Sequence, residues 1–220
     1  MAHSTVLFDL DSTLYPASSG VPLQFEERMG AYVQQLLGVD AAEAAQIRKR
    51  YSAELGTTLR GLQAYHDVDI EDYLHYVHDI ELAMFLAVDA ELDRLLGAVQ
   101  FTKAIFTNAP VEHAERVLAA LNIAHHFTQI FDIRFAGFVP KPDRAVYDLV
   151  LDMLQVAPSE VIFIEDTPRN LAPARALGMT TILISDHADA ASMEVDHVVP
   201  NILEALRVVL TYQSEQSQIT

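Results

Sequence analysis

Four short stretches set polar side chains directly behind apolar runs. In "VLFDLDSTLYP" (6–16), Asp9 and Asp11 stand one leucine apart and are followed at once by Ser12 and Thr13. Thr107 and Asn108 close a second run, Lys141 lies in "FVPKPD", and Glu165 and Asp166 end a further run. Two carboxylates this close raise each other's cost of ionisation, so a compensating cation or a chemical task is expected at the first stretch. Together the four sets suit phosphoryl transfer. A carboxylate can act as nucleophile and form an acyl phosphate. A second carboxyl, held protonated, can give its proton to a leaving alcohol and then take one from water. Carboxylates from two strand ends can hold Mg2+, while a lysine and a hydroxyl bind the phosphoryl oxygens.

Each stretch also has a plainer reading. "TNAPVE" is an acceptable helix start, with Asn108 as cap and Pro110 early in the helix, and "EDTPRN" does likewise with Thr167 and Pro168. Lys141 can be a solvated loop lysine, although a Pro-Lys-Pro frame restricts its backbone. The order and convergence of all four favour chemistry over capping.

The elements that must position these groups follow from the apolar pattern. Strands are expected at 5–8, 103–107, 130–133, 161–164, 180–184 and, more weakly, 197–199. Helical spacing joins Ala114, Val117, Leu118 and Leu121, and again Val146, Leu149, Val150 and Met153. Strands alternating with helices predict an α/β fold, a Rossmann-like parallel sheet flanked by helices. Its strand ends share one edge, where ligands bind near the switch point. The alternation stops between about 17 and 100, where Phe25, Met29, Tyr32, Val33, Leu36 and Leu37 follow helical spacing. The expected organisation is a core of 1–16 and 101–220 with an all-helical cap at 17–100. The polar tail "QSEQSQIT" is expected to fray.

Bulk composition narrows the function classes. The chain has 220 residues, 51% of them hydrophobic, which fits a globular protein. Against 31 acidic residues stand 14 basic ones, a formal net charge of -17. Long nucleic acid is a poor partner for such a surface, since polyanion affinity needs clustered Lys and Arg. No apolar run is long enough for a membrane span and no secretion signal is visible. With no cysteine in the sequence, a reducing cytoplasm is the expected location. Composition does not fix the oligomeric state.

With these residues in view, the chain resembles the haloacid dehalogenase-like (HAD) phosphohydrolases. It carries "DLDST" at 9–13, "FTN" at 106–108, Lys141 and "EDTPRN" at 165–170, in that family's order. The resemblance implies Asp9 as nucleophile and Asp11 as general acid/base. It also implies Mg2+ held by Asp9, the Asp11 backbone carbonyl and Asp166, with Thr107, Asn108 and Lys141 on the phosphoryl group. The dehalogenating branch lacks an acid at the position of Asp11, so Asp11 favours a phosphatase. Two departures stand out. Ser12 occupies a place where glycine or asparagine is common, and Asn170 a place where many members carry aspartate. Asn170, like Glu165, is therefore expected to orient a water or a neighbouring ligand.

Within the family, "LYP", "GTTLRGL" (56–62), "YVHDIE" (76–81), "IFTNA" and "EDTPRNL" are similar to the pyrimidine 5'-nucleotidase group. That implies a nucleoside 5'-monophosphate such as UMP or CMP, with Tyr15, Thr57, Thr58 and Arg60 as substrate contacts. Alternatively, the glycines mark a helix junction and Arg60 pairs with a surface acid. Other small phosphometabolites, phosphoglycolate or a sugar phosphate, suit the same machinery, and a non-catalytic phosphate-ligand regulator is the rival of another class. His66, His75 and His78 cluster in "YHDVDIEDYLHYVHD", where interleaved Asp and Tyr fit a cap surface or hinge better than a zinc site.

Overall fold

β1 (Thr5–Phe8) is buried along its whole length, the pattern of a strand with both faces covered. A computed structural model describes residues 2–186 and 194–218. The chain divides into two compact units, Met1–Ala17 with Leu86–Thr220, and Ser18–Phe85.

The Ser18–Phe85 unit consists of α1 (Val21–Leu37), α2 (Ala41–Leu55), α3 (Thr58–Tyr65) and α4 (Ile70–His78) with short connections. Asp40 caps α2 through Glu43 N and Asp69 caps α4 through Glu71 N and Asp72 N. The helices close on buried Val33, Tyr51, Leu62, Leu74 and Val77. Gly61 is a close approach, since a Cβ there would fall 2.0 Å from Tyr51 Cγ. Tyr51 then reaches His66 Nε2 at 2.7 Å. Of the expected α1 stripe, Tyr32 and Val33 are buried whereas Leu36 is exposed.

The second unit resumes with α5 (Ala90–Ala98) and β2 (Thr102–Phe106), then α6 (Val111–Ala120), β3 (Gln129–Phe131) and α7 (Arg144–Leu154). It continues through β4 (Val161–Glu165), α8 (Pro168–Leu177), β5 (Thr180–Ile184), β6 (His197–Val199) and α9 (Ile202–Ser217). Among the described residues the strands form one six-stranded sheet in the order β3-β2-β1-β4-β5-β6. Every neighbouring pair is parallel. Phe8 registers with Ile105 on one side and Ile164 on the other. Connections leave β1 and β4 in opposite directions, so the switch point lies between these two strands.

Several boundaries differ from expectation for local reasons. β3 stops at Phe131 because the Asp132 carboxylate turns aside to accept from Val111 N and Phe135 N. β2 ends at Phe106, which leaves Thr107 just beyond the strand. On α7 the buried stripe is Val146, Tyr147, Val150 and Leu151, with Leu149 and Met153 exposed. Tyr147 draws the helix round by packing edge-on to Phe106 and donating to Asn170 O at 2.6 Å.

α5 groups with the sheet-bearing unit, so the division falls after Phe85, whereas the sequence places it at 100. Leu92, Leu95 and Leu96 are buried, and α5 packs on α9. Gln213 fixes that contact by accepting from Gln100 N at 2.7 Å and donating to Ala98 O at 3.2 Å. The expected fraying at 213 onward is therefore replaced by helix to Ser217. Residues 219–220 of that tail lie outside the described residues.

Candidate active site

Lys141 is the group around which the strand ends assemble. Its side chain is 1% exposed, and its ammonium donates to Asp9 Oδ1 at 2.7 Å, Glu165 Oε2 at 2.7 Å and Phe106 O at 2.8 Å. Three acceptors match its three N–H donors. The rings of Phe106 and Phe163 flank it, with centroids 5.0 and 5.3 Å from Nζ. The solvated-loop reading of Lys141 is excluded. Burial alone lowers an ammonium's pKa, but the Asp9 and Glu165 carboxylates outweigh it and hold Lys141 above its ordinary value.

Asn108 holds the Lys141 backbone from both sides. Its Oδ1 accepts from Lys141 N at 2.8 Å and its Nδ2 donates to Lys141 O at 3.2 Å. It does not cap α6: Pro110 occupies that position and Asp132 takes the Val111 N–H. Thr107 is buried beside it, its hydroxyl accepting from Ala109 N at 3.0 Å.

Asp9, Glu165 and Asp166 bring carboxylate oxygens within 4.8 Å of one another. The adjacency of β1 and β4 makes this possible, and Asp9 N donates to Ile164 O at 2.9 Å. Burial, then the Glu165 charge, pushes the Asp9 pKa up to about 7. Burial likewise raises Glu165 to about 7 and raises Asp166. With all three carboxylates ionised, one ammonium leaves two negative charges, the amount one divalent cation neutralises. Glu165 is fully engaged: Oε2 accepts from Lys141 and Asn170 Nδ2, and Oε1 accepts from Asp166 N and Thr167 N. Asp9 Oδ2 accepts from Thr13 Oγ1 at 3.2 Å and Asp166 Oδ1 from Thr167 Oγ1 at 3.3 Å, longer contacts that a metal can share. Asn170 Oδ1, on the residue that touches Glu165, is buried with no hydrogen-bond partner. An all-oxygen donor set with surplus negative charge fits a hard ion of the Mg2+ type.

Asp11 points to a different set of partners. Tyr15 donates its hydroxyl to Asp11 Oδ1, and His113 Nε2 lies 2.8 Å from the same oxygen. Burial, then the Asp11 charge, raises the Tyr15 pKa, so it remains a donor. His113 is buried in the first turn of α6. Its one signal in the sequence is a polar residue on a helix face otherwise made by Ala114, Val117 and Leu118, too weak to mark it as a site residue. Ser12, directly after the second aspartate, has φ 63°. A left-handed backbone explains why glycine or asparagine is common at this place.

The remaining expected residues lie in the helical unit. Thr57 caps α3, its hydroxyl accepting from Arg60 N at 3.1 Å, while Thr58 is buried and Arg60 half-buried. His66 faces Tyr51, His78 lies 2.8 Å from Leu74 O, and His75 is exposed. These three histidines have separate surroundings.

Comparison with known proteins shows the family and the fold. The profile of the haloacid dehalogenase-like hydrolases matches residues 3–178. Rat bifunctional epoxide hydrolase 2 is 37% identical over 94 residues, which are 41% of this chain; the match spans only 17% of that relative. A Thermotoga maritima protein named phosphorylated carbohydrates phosphatase is 25% identical over 195 residues, 80% of this chain and 82% of that protein. The crystal structure of a HAD phosphatase from Thermococcus onnurineus superposes with a TM-score of 0.65 at 18% identity, covering 95% of this chain and 98% of its own. At that identity the likeness concerns the fold.

Proposed function

Because the chain belongs to the haloacid dehalogenase-like hydrolase family, we propose that it hydrolyses a small phosphomonoester through an aspartyl-phosphate on Asp9. The observation that carries this reading is the buried Lys141 ammonium, 2.7 Å from both Asp9 and Glu165. A cation in that place opposes the rise that burial imposes on the Asp9 pKa and leaves positive charge beside the carboxylate that phosphate must approach.

Asp9 attacks phosphorus through Oδ2, the oxygen not taken by Lys141, and the ester P–O bond breaks. Asp11 gives its proton to the departing oxygen, then takes a proton from the water that attacks the acyl phosphate, which frees Asp9 and releases phosphate. Thr107 and Lys141 bind the phosphoryl oxygens, and Asn108 acts through the Lys141 backbone. Asp9 and Asp166, with the Asp11 carbonyl, are the residues that would hold Mg2+. When bound, that ion supplies charge neutralisation for the crowded carboxylates and the phosphoryl oxygens. Glu165 and Asn170 position Lys141 and Asp166.

For the substrate we infer a pyrimidine nucleoside 5'-monophosphate, UMP or CMP, with Tyr15 and Arg60 among its contacts. The similarity of "GTTLRGL" and "YVHDIE" to that group supports it. A sugar phosphate or phosphoglycolate is the second reading, favoured by the name of the Thermotoga relative. The test is phosphate release from a panel of monoesters, in Mg2+ and in EDTA, for wild type and Asp9→Asn. Expected is Mg2+-dependent release, highest for UMP or CMP and absent in the variant. Turnover by Asp9→Asn would refute the covalent route, and a preference for sugar phosphates would refute the nucleotide reading alone.

A further inference from the structure

A second set of metal-ligating side chains lies outside the Asp9 cluster. Asp93 Oδ1 is 2.8 Å from His126 Nε2 and 3.3 Å from His125 Nε2, and the three donor atoms all lie within 4.8 Å of one another. A tetrahedral ion with bonds of about 2.0–2.1 Å holds its donors about 3.3–3.4 Å apart, which the Asp93–His125 pair already matches and the Asp93–His126 pair reaches by opening about 0.5 Å. We propose that Asp93, His125 and His126 bind a divalent transition ion of the zinc class, distinct from the proposed Mg2+ site.

The donor chemistry separates the two sites. Imidazole nitrogen suits Zn2+, Ni2+ or Cu2+, whereas the all-oxygen Asp9 cluster suits Mg2+. The three groups come from two rigid segments. Asp93 sits on α5, and both histidines sit on the 3-10 turn Ala124–His126 that leads to β3. That turn is tied by His126 N to Ile123 O and by Phe127 N to Ala124 O, with Ile123 fully buried below it. His126 lies across Gly97, one turn along from Asp93. The neighbouring charges do not compete: Arg94 is paired with Glu91, and Arg207 with Glu204 and Glu91. Among the described residues, the ion-pair partners of Asp93 are these two histidines. Side-chain exposure of 60% at His125 and 12% at His126 gives the ion an open approach and room for a water as further ligand. A bound ion would clamp α5, which precedes β2, to the turn before the edge strand β3.

The experiment uses the full chain stripped with EDTA, returned to excess Mg2+, and titrated with Zn2+ against a chromophoric chelator. Expected is one equivalent of Zn2+ for wild type and for Asp9→Asn. Binding should weaken more than about tenfold in His125→Ala and in Asp93→Asn, since loss of even an outer-shell partner costs that much. Zn2+ should raise the melting temperature of wild type and leave that of His125→Ala unchanged. His125 is exposed, so equal melting temperatures in EDTA show that the variant folds. Absence of Zn2+ binding, binding that survives in both variants, or binding lost in Asp9→Asn would each overturn the proposal. None of these outcomes bears on the phosphatase reading.

Discussion

Replacing Lys141 with methionine removes the ammonium, keeps most of the stem, and isolates what the charge does. At 2.7 Å each carboxylate attracts it by about 6 kcal/mol for an effective dielectric constant of 20, before desolvation is counted. Removing one member of a buried ion pair costs about 3–5 kcal/mol net. For a chain of this size that lowers the melting temperature by about 6–20 °C. The loss must depend on pH. Asp9 and Glu165, already raised to about 7, rise further without their cation, so the folded variant holds protons that the unfolded chain releases. Its stability therefore falls as pH rises, and the deficit against wild type is larger at pH 8 than at pH 5. Thermal unfolding in EDTA at these two pH values measures it. A melting temperature within about 2 °C of wild type at pH 8, or a larger deficit at pH 5, would refute the assignment of Lys141 as the compensating charge.

Wild type should show the same sign more gently. The ordinary values of Asp9 and Glu165 are 3.8 and 4.5, and both stand near 7 in the fold, so in EDTA stability declines as pH climbs from about 4 to about 7. Mg2+ at the proposed site would bind the ionised carboxylates and should raise the melting temperature more at pH 8 than at pH 5; an equal rise at both would count against a carboxylate site. His113→Leu keeps a buried side chain of similar bulk on α6 and removes the nitrogen 2.8 Å from Asp11. The expected result is a kcat lower by about 10–100-fold with KM within about twofold, because general acid/base catalysis contributes 10²–10⁴-fold only when the group is aimed. An unchanged kcat would remove His113 from the positioning of Asp11.

The sheet was readable because its strands are buried on both faces. "TVLF" and "VIFI" are apolar at successive positions, and no helix pattern competes with runs so short. Thr107, Lys141, Glu165 and Asp166 could be placed at one edge for the same reason: parallel strands end on the same side. What could not be read depends on contacts between distant residues. Asn108 scores as a helix cap from its neighbours alone, and only the approach of the Lys141 loop gives both ends of its amide a different use. His113 meets Asp11 across 102 positions of sequence, and its place on an apolar helix face does not name that partner. Leu149 and Met153 satisfied helical spacing as well as Tyr147 and Leu151 did, until the size of Tyr147 decided which face turned inward. The α5 boundary was missed because nothing in "LDRLL" says whether its apolar face meets α4 or α9.

The order of strands in the sheet also has a consequence in time. β1 is synthesised before the other five strands of its sheet, yet its partners are residues 102–105 and 161–164. At about 5–20 residues per second, the second partner appears about 8–30 s after the first strand. For about the first 5–20 s of that interval, until residues 102–105 appear, "VLF" has neither neighbour, while the helices of Ser18–Phe85, whose contacts are close in sequence, are already made. The nascent chain thus meets its quality-control machinery with a completed helical segment and an unpaired apolar strand on the same polypeptide. β1 gains its second neighbour only when β4 returns to it.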